Sequence, residues 1–395
     1  MELKRVPILT KLTIILASFF MMADVFTIAP IMAELANAFP NASISVIGLC
    51  YTISQITIIP VAFFCGRLST IFRKKTLMIV GAVLIAIGGG LGGLYLNITY
   101  ILIMRALEGV GAGLCITLAP AIIAELFPDD REMTRMNGIF GAVGALYGSV
   151  ISVISGKLAI TFSWQSSYYI FLFSLLLLIM IIAFIPNTPP EKVEEKAEKP
   201  TMNKSTWLWG CGVFLFAILT NGVFMLAAGY LSETGTGAAD TAGILTSLMT
   251  IGSFIGGLVL VWIVTNMNKF VVFVCYLLLS VGIVVIMLVD NAMLIYVGGF
   301  IWGLGYGIFF PYIFARATLL ASPNSETHTL SVTNSFYYLG MGLTAFFIEF
   351  VGKIFNDPSA VASFRFMAAA YGVFTIFYLV KGMVDSKKNQ ANISC

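Results

Sequence analysis

Asp24, Arg105, Glu108 and Glu349 are the residues of this 395-residue chain best placed to do chemistry, because each is an ionisable group inside an apolar stretch. A charge at the centre of a membrane-spanning helix costs on the order of 2.5–3.5 kcal/mol, so it is kept chiefly where it faces a pore, a partner or a ligand. Arg105 and Glu108 are spaced i, i+3 and share a helix face. Low-dielectric burial favours the protonated form of a carboxylate, whereas a nearby guanidinium favours the ionised form. Moving one against the other therefore changes proton affinity. The chemistry open to this set is reversible proton binding by Asp24 or Glu108, tuned by Arg105; the alternative is an ion pair that only satisfies itself. Asp24 stands slightly ahead for its depth, ~14 Å in from the outer end of its helix. Glu349 lies near a helix end, where an interfacial carboxylate is ordinary, and reads as structural. Glu125 and Arg316 sit at helix ends that suit a gate or an interface.

The elements that must position these groups are helices in a membrane. Apolar residues make up 59% of the chain, charged residues 10%, and mean hydropathy is +0.97, which excludes an ordinary soluble domain. Apolar runs of about 20 residues, enough to cross a ~30 Å hydrocarbon core, recur twelve times. The first six are Leu12–Ala33, Ile44–Cys65, Thr76–Leu96, Tyr100–Leu126, Met136–Ile160 and Tyr168–Ile185. The second six are Trp207–Leu231, Ala242–Val264, Phe270–Val289, Leu294–Ala315, Leu330–Val351 and Val361–Val380. Of the 22 Lys and Arg, 18 fall on the side of the two termini, and only Lys157, Lys353 and Arg365 fall opposite. That bias predicts cytoplasmic termini and a multi-pass protein of the cytoplasmic membrane, with the lipid bilayer as its solvent. The formal charge of +3 then reflects topology and calls for no nucleic acid partner. The first apolar segment is too long for a signal-peptide core and is expected to stay in the mature protein. The six cysteines form no CxxC pair, so neither a disulfide framework nor a metal site or cofactor is implied. His328 is expected in a solvated loop before the eleventh helix. No GxSxG, HExxH or P-loop spacing occurs, so an enzyme is not indicated.

Residues from Pro186 to Lys204 are rich in Pro, Glu and Lys and read as a solvated linker with a short surface helix. The expected division is a six-helix bundle over 1–186, a cytoplasmic linker over 187–206 and a second six-helix bundle over 207–395. The halves resemble one another. Gly109-Val110-Gly111-Ala112-Gly113 matches Gly303-Leu304-Gly305-Tyr306-Gly307, Pro128 matches Pro323, Gly156-Lys157 matches Gly352-Lys353, and Asp24 falls opposite Asn221, all at offsets of 194 to 197 residues. The fold class expected is an all-α membrane protein, twelve helices forming two pseudo-repeats around a central cavity.

Two local motifs sharpen this. After the second helix comes Gly66-Arg67-Leu68-Ser69-Thr70-Ile71-Phe72-Arg73-Lys74-Lys75, and in the fourth Arg105-Ala106-Leu107-Glu108-Gly109-Val110-Gly111-Ala112. Over essentially its whole length the chain resembles the major facilitator superfamily. The first motif is similar to that family's Gly-x-Leu-x-Asp-x-x-Gly-Arg-Lys, with Thr70 in place of the Asp and Arg73 in place of the second Gly. The second is similar to Arg-x-x-Gln-Gly-x-Gly-Ala, with Glu108 in place of the Gln. The resemblance implies a gate at Gly66, Leu68, Arg73, Lys74 and Lys75, weakened by the loss of the Asp, and a proton-linked role for Arg105. It also implies a monomer. The family's antiporter pair Gly-Pro in the fifth helix is missing, yet Gly138, Gly141, Gly144 and Gly148 provide a small-residue packing face. Trp164, Tyr168, Tyr169 and Phe171 read as an interfacial aromatic belt.

The second half has no charge at mid-membrane and provides Asn221, Tyr306, Tyr312, Asn334, Tyr337 and Tyr338 instead. Asn221, Tyr306, Asn334 and Tyr337 are the candidate contacts to a small-molecule substrate that is mostly apolar with a few hydrogen-bonding groups. With its short loops and no extra domain, the chain resembles the small 12-helix bacterial drug and metabolite efflux branch of that family, and this resemblance implies a proton-coupled exporter of an amphipathic or drug-like compound. Uptake or exchange of an anionic metabolite bound through Arg105 is a second reading, and a non-transporting membrane sensor a third.

Overall fold

The computed structural model describes residues 6–127, 129–190, 204–288, 291–321 and 326–393, which form helices joined by short turns, with no strand among the described residues. In chain order the helices are α1 (Ile8–Ala38), α2 (Ile44–Ile71), α3 (Lys74–Gly88), α4 (Ile98–Leu126), α5 (Asp130–Thr161) and α6 (Trp164–Phe184). They continue as α7 (Lys204–Thr234), α8 (Ala239–Met267), α9 (Val271–Leu288), α10 (Ala292–Leu320), α11 (Glu326–Phe355) and α12 (Ala360–Ile393). Among the described residues, eleven helices are long and apolar enough to cross a membrane. Of the expected linker, 191–203 lie outside the described residues, as do Pro128 and Pro323; α7 begins at Lys204, inside the expected linker. His328 lies in the first turn of α11 and not in a loop.

The third predicted span departs most from its expected form. Its α-helix stops at Gly88, after 15 residues, and hydrogen-bonded turns carry the chain to Leu94. The cause is the run Gly88-Gly89-Gly90-Leu91-Gly92-Gly93, where low helix propensity meets a need for close approach. A Cβ at Gly89 would strike the Phe171 ring, and one at Gly92 would fall 2.7 Å from the ring of Tyr168. The partner segment, Trp164–Leu172, is a nine-residue 3-10 helix. Tyr168 and Phe171 are fully buried in this contact and Trp164 nearly so, which corrects the belt reading; Tyr169 alone of the four faces outward. A buried packing aromatic and an interfacial one look alike in sequence.

The first span is also interrupted, on either side of Asp24. At Ala17 and Ser18 the bonding tightens to i→i−3, as in Phe20 N–H to Ala17 O at 3.1 Å. At Ala29–Ile31 a 3-10 turn forms around Pro30, which lacks an N–H and cannot extend an α-helix smoothly. Asp24 sits on the ten-residue helical piece Phe19–Ile28 between the breaks.

Within residues 1–190, α2 and α3 pack on α4, and α1 packs on α5; within the rest, α8 and α9 pack on α10, and α7 packs on α11. Glycines set these approaches. In α4, Gly109 lies against Ser54 and Thr57 of α2, and Gly111 against Gly81 of α3. In α10, Gly303 and Gly307 lie against Met249 and Ser253 of α8, and Gly305 against Cys275 of α9.

The two sets of helices meet through α2 on α11 and α5 on α8. These seams are closed toward the face where α1 ends. Along α2 and α11, Ser45 N–H donates to Glu349 Oε2 (3.0 Å), and Gly48 and Gly342 fit against Ala345 and Ile56. Along α5 and α8, the Ser149 and Ser247 hydroxyls are 2.5 Å apart and Thr246 Oγ1 donates to Ser152 Oγ at 3.0 Å. Toward the face where α1 begins the seams part. Phe63 of α2 is 81% exposed, and open space adjoins Gly66 of α2 and Gly138 and Gly141 of α5. The glycine face of α5 is thus a packing face only at Gly144 and Gly148, which meet α1.

Glu349 closes the α2–α11 seam at its outer limit. Its carboxylate sits at the N-terminus of α2, where the helix dipole favours negative charge, and it also accepts from Lys353 Nζ at 2.7 Å. Glu349→Ala should speed the labelling of a cysteine placed at buried Ile47 by a membrane-impermeant maleimide roughly threefold, the size of one dipole contact. Lys353→Ala should change it little, because Lys353 is largely exposed.

Candidate functional site

The three charged residues expected to act together do meet. Asn97 caps α4 by accepting from Tyr100 N–H (3.1 Å), which sets Arg105 two turns into the helix and Glu108 one turn further. Arg105 is wholly buried, and Asp24 and Glu108 are 3% and 1% exposed. The guanidinium donates through Nη1 to Glu108 Oε2 (2.9 Å) and through Nη2 to Asp24 Oδ1. Nη2 also donates to Ser54 Oγ at 2.9 Å, and Nε donates to the Cys50 carbonyl at 3.0 Å. Ser54 Oγ in turn donates to Asp24 Oδ1 at 2.5 Å. Phe171 of α6 stands 5.7 Å from the guanidinium carbon, close enough for a cation–π contact. Every guanidinium nitrogen is therefore engaged by the protein, and one cation is held between two carboxylates from α1 and α4.

The second-half candidates divide into two places. Tyr306 of α10 and Tyr337 of α11 share a hydroxyl–hydroxyl bond of 2.7 Å. Tyr306 stacks between Trp302 and Phe310, each 5.7 Å away, and Phe224 of α7 meets it edge-on. Phe26 of α1, two residues beyond Asp24, packs on Phe224 at 5.6 Å and so joins this aromatic array to the charged cluster's helix. Asn334 is half-buried one turn before Tyr337.

Asn221 lies apart from the tyrosine pair, in a bridge between α2, α7 and α11. Its Oδ1 accepts from Tyr51 OH (3.2 Å), and its Nδ2 faces Gln55 Oε1 (3.1 Å), the Met341 carbonyl (2.9 Å) and Thr344 Oγ1 (3.2 Å). Cys50, Tyr51, Ser54 and Gln55 of α2, which bond to the charged cluster or to Asn221, are positions that the sequence reading passed over. Their signal was present as Ser54 and Gln55 adjoining inside an apolar run, but neutral polar residues in membrane helices are common enough to be overlooked.

The contacts of the expected gate residues Lys74 and Lys75 seen among the described residues lie within the first half. Gly66 and Arg73 are exposed and Leu68 is half-buried. Lys74 Nζ pairs with Glu125 Oε2 of α4 at 3.1 Å, and Lys75 Nζ donates to the Ile182 carbonyl of α6 at 2.7 Å. No cluster of His, Cys, Asp or Glu suited to a metal ion occurs among the described residues.

The chain matches the family model of the Major Facilitator Superfamily over residues 14–345. It is 26% identical over 266 residues to multidrug resistance protein 3 of Bacillus subtilis, an alignment covering 49% of this chain and 50% of that protein. It is 26% identical over 186 residues to the multidrug efflux pump SdrM of Staphylococcus aureus, covering 46% and 40%. The chain thus spans about half the length, or less, of these curated relatives. Among solved structures, the inward open xylose transporter XylE from E. coli superposes with a TM-score of 0.74 at 14% identity, covering 93% of this chain and 95% of that one. Likeness at that identity speaks for the fold.

Proposed function

The chain belongs to the Major Facilitator Superfamily, and we propose that it is a secondary transporter that exports an amphipathic, drug-like compound in exchange for protons. The observation that carries this reading is the buried Arg105 held between Asp24 and Glu108. One cation between two carboxylates leaves a net negative charge that a single proton neutralises, which gives the cluster two protonation states of different charge inside the membrane. Substrate is placed on the array around Tyr306, Tyr337 and Asn334, where aromatic faces suit an apolar ring system and the hydroxyls supply hydrogen bonds. The efflux relatives support the outward direction. Arg105 is a poor ligand for a substrate carboxylate, because its nitrogens are already bonded and its side chain is wholly buried; this disfavours the anionic-metabolite reading.

Bundles over 1–186 and 207–395, joined by a cytoplasmic linker over 187–206, would rock against each other to give alternating access. The parallel roles of Gly109 and Gly111 in α4 and of Gly303 and Gly305 in α10 support an internal duplication. With both termini cytoplasmic, the parted seams face the cytoplasm, and Gly66, Leu68, Arg73, Lys74 and Lys75 lie at the mouth that must close. The protein acts as a monomer in the cytoplasmic membrane. The test uses purified protein in proteoliposomes holding a pH dye, with ethidium as an amphipathic cation and lactate as an anion. Ethidium should drive proton movement and lactate should not. Ethidium transport without proton movement, or proton movement with lactate alone, would overturn the proposal.

A further inference from the structure

We infer that Asn221, through Tyr51 and Gln55, is the positioning residue that ties the state of the Asp24 cluster to the movement of the second bundle; this rests on the proton-site reading above. The inference comes from the way one stretch of α2 is shared. Cys50 through its carbonyl and Ser54 through its hydroxyl reach Arg105 or Asp24, and the side chains of Tyr51 and Gln55, each one residue on, turn toward Asn221. The two networks therefore hang on the same rigid helical turn and cannot be displaced independently of it.

Each side of this turn is tightly held. Ser54 both donates to Asp24 and accepts from Arg105, so its hydroxyl is oriented by the charged pair. A neutral Asp24 no longer attracts the guanidinium as an ion, and the Ser54 bonds loosen with it. On the other side, Asn221 uses its oxygen and its nitrogen at once and reaches two helices, α2 and α11. These bonds lie 3% or less exposed at Asn221, Gln55 and Tyr51, where no competing water weakens them. Among the described residues Gln55 Nε2 has no hydrogen-bond partner, so the amide has a donor to offer when α2 shifts. Asn221, with its oxygen and its nitrogen both engaged, acts as a bridge here, and by its offset of 197 residues it is the sequence counterpart of Asp24 in the second half.

The test is a distance measurement on the full chain in lipid nanodiscs. Spin labels are placed through Arg67→Cys and Met267→Cys, at the ends of α2 and α8 on the parted face, with Cys211 and Cys395 replaced by Ser. Asp24→Asn, a permanent neutral mimic, should shift the distance distribution between the labels. Adding Asn221→Ala should abolish that shift while the labelled protein keeps a cooperative thermal transition. Gln55→Met, which keeps the volume and removes the acceptor, should act likewise and provides the same test if Asn221→Ala fails to fold. A shift that survives both substitutions overturns the inference. No shift from Asp24→Asn alone would show that the proton-site reading fails first, and the inference falls with it.

Discussion

Asp24→Asn is expected to yield a folded transporter in which substrate no longer moves protons. The amide keeps the volume and an oxygen where Asp24 Oδ1 accepts from Arg105 and Ser54, so the fold persists, while those bonds, no longer to an ion, loosen and leave α2 free to shift. What is lost is the ability to exist in two charge states. Substrate-linked proton flux in dye-loaded proteoliposomes should fall at least ~10-fold, the signature of removing a group the coupled step requires. Ethidium counterflow, which needs no net proton movement, should persist. Glu108→Gln is the comparison. Among the described residues Glu108 bonds Arg105 and, unlike Asp24, shares no hydrogen bond with Ser54 of the α2 turn, so its replacement should spare most of the coupling. The opposite ranking of the two variants would move the proton to Glu108. Equal and complete loss in both would mean that the cluster acts as a unit.

The parts of this site that sequence disclosed are those where a residue type is costly in its surroundings. Asp24, Arg105 and Glu108 stand out because ionised groups are rarely tolerated in apolar runs, and their i, i+3 spacing within α4 needs no tertiary knowledge. The spans themselves are visible for the same reason, since hydropathy alone marks a helix that must lie in lipid. Ser54, Gln55 and Asn221 were harder. Whether a neutral polar side chain meets a partner depends on the rotation of one helix against another, which is fixed by close approaches such as Gly109 on Ser54 and Gly342 on Ile56. Those approaches link residues far apart in the chain, and no local pattern encodes them. Asn221 was picked out by its alignment with Asp24, yet its surroundings make it a bridge between helices and separate it from Tyr306 and Tyr337. The early end of α3 was written plainly in five glycines, but a hydropathy window passes over them, because glycine is neither polar nor a strong helix former.

Replacing Arg105 by Met should lower stability by roughly 3–5 kcal/mol, because it leaves two carboxylates buried without a counter-charge. A fall in the thermal midpoint of the purified protein would measure this. Arg105→Lys should recover only part of it: a single ammonium cannot also reproduce the Nε bond to Cys50 while reaching Glu108, Asp24 and Ser54 in a planar fork. The decisive variant removes all three charges at once, Arg105→Met with Asp24→Asn and Glu108→Gln. Without an unpaired charge, most of the lost stability should return, since replacing a whole buried ion cluster is often close to neutral. Proton-coupled transport should not return with it. That separation distinguishes the two meanings of a buried ion cluster. If the charges serve only to hold α1, α2 and α4 together, a neutral cluster of similar volume serves as well, and coupled transport is restored along with the thermal midpoint. If they serve to bind a proton, the stable triple variant stays uncoupled, because nothing in it can change charge as the bundles move.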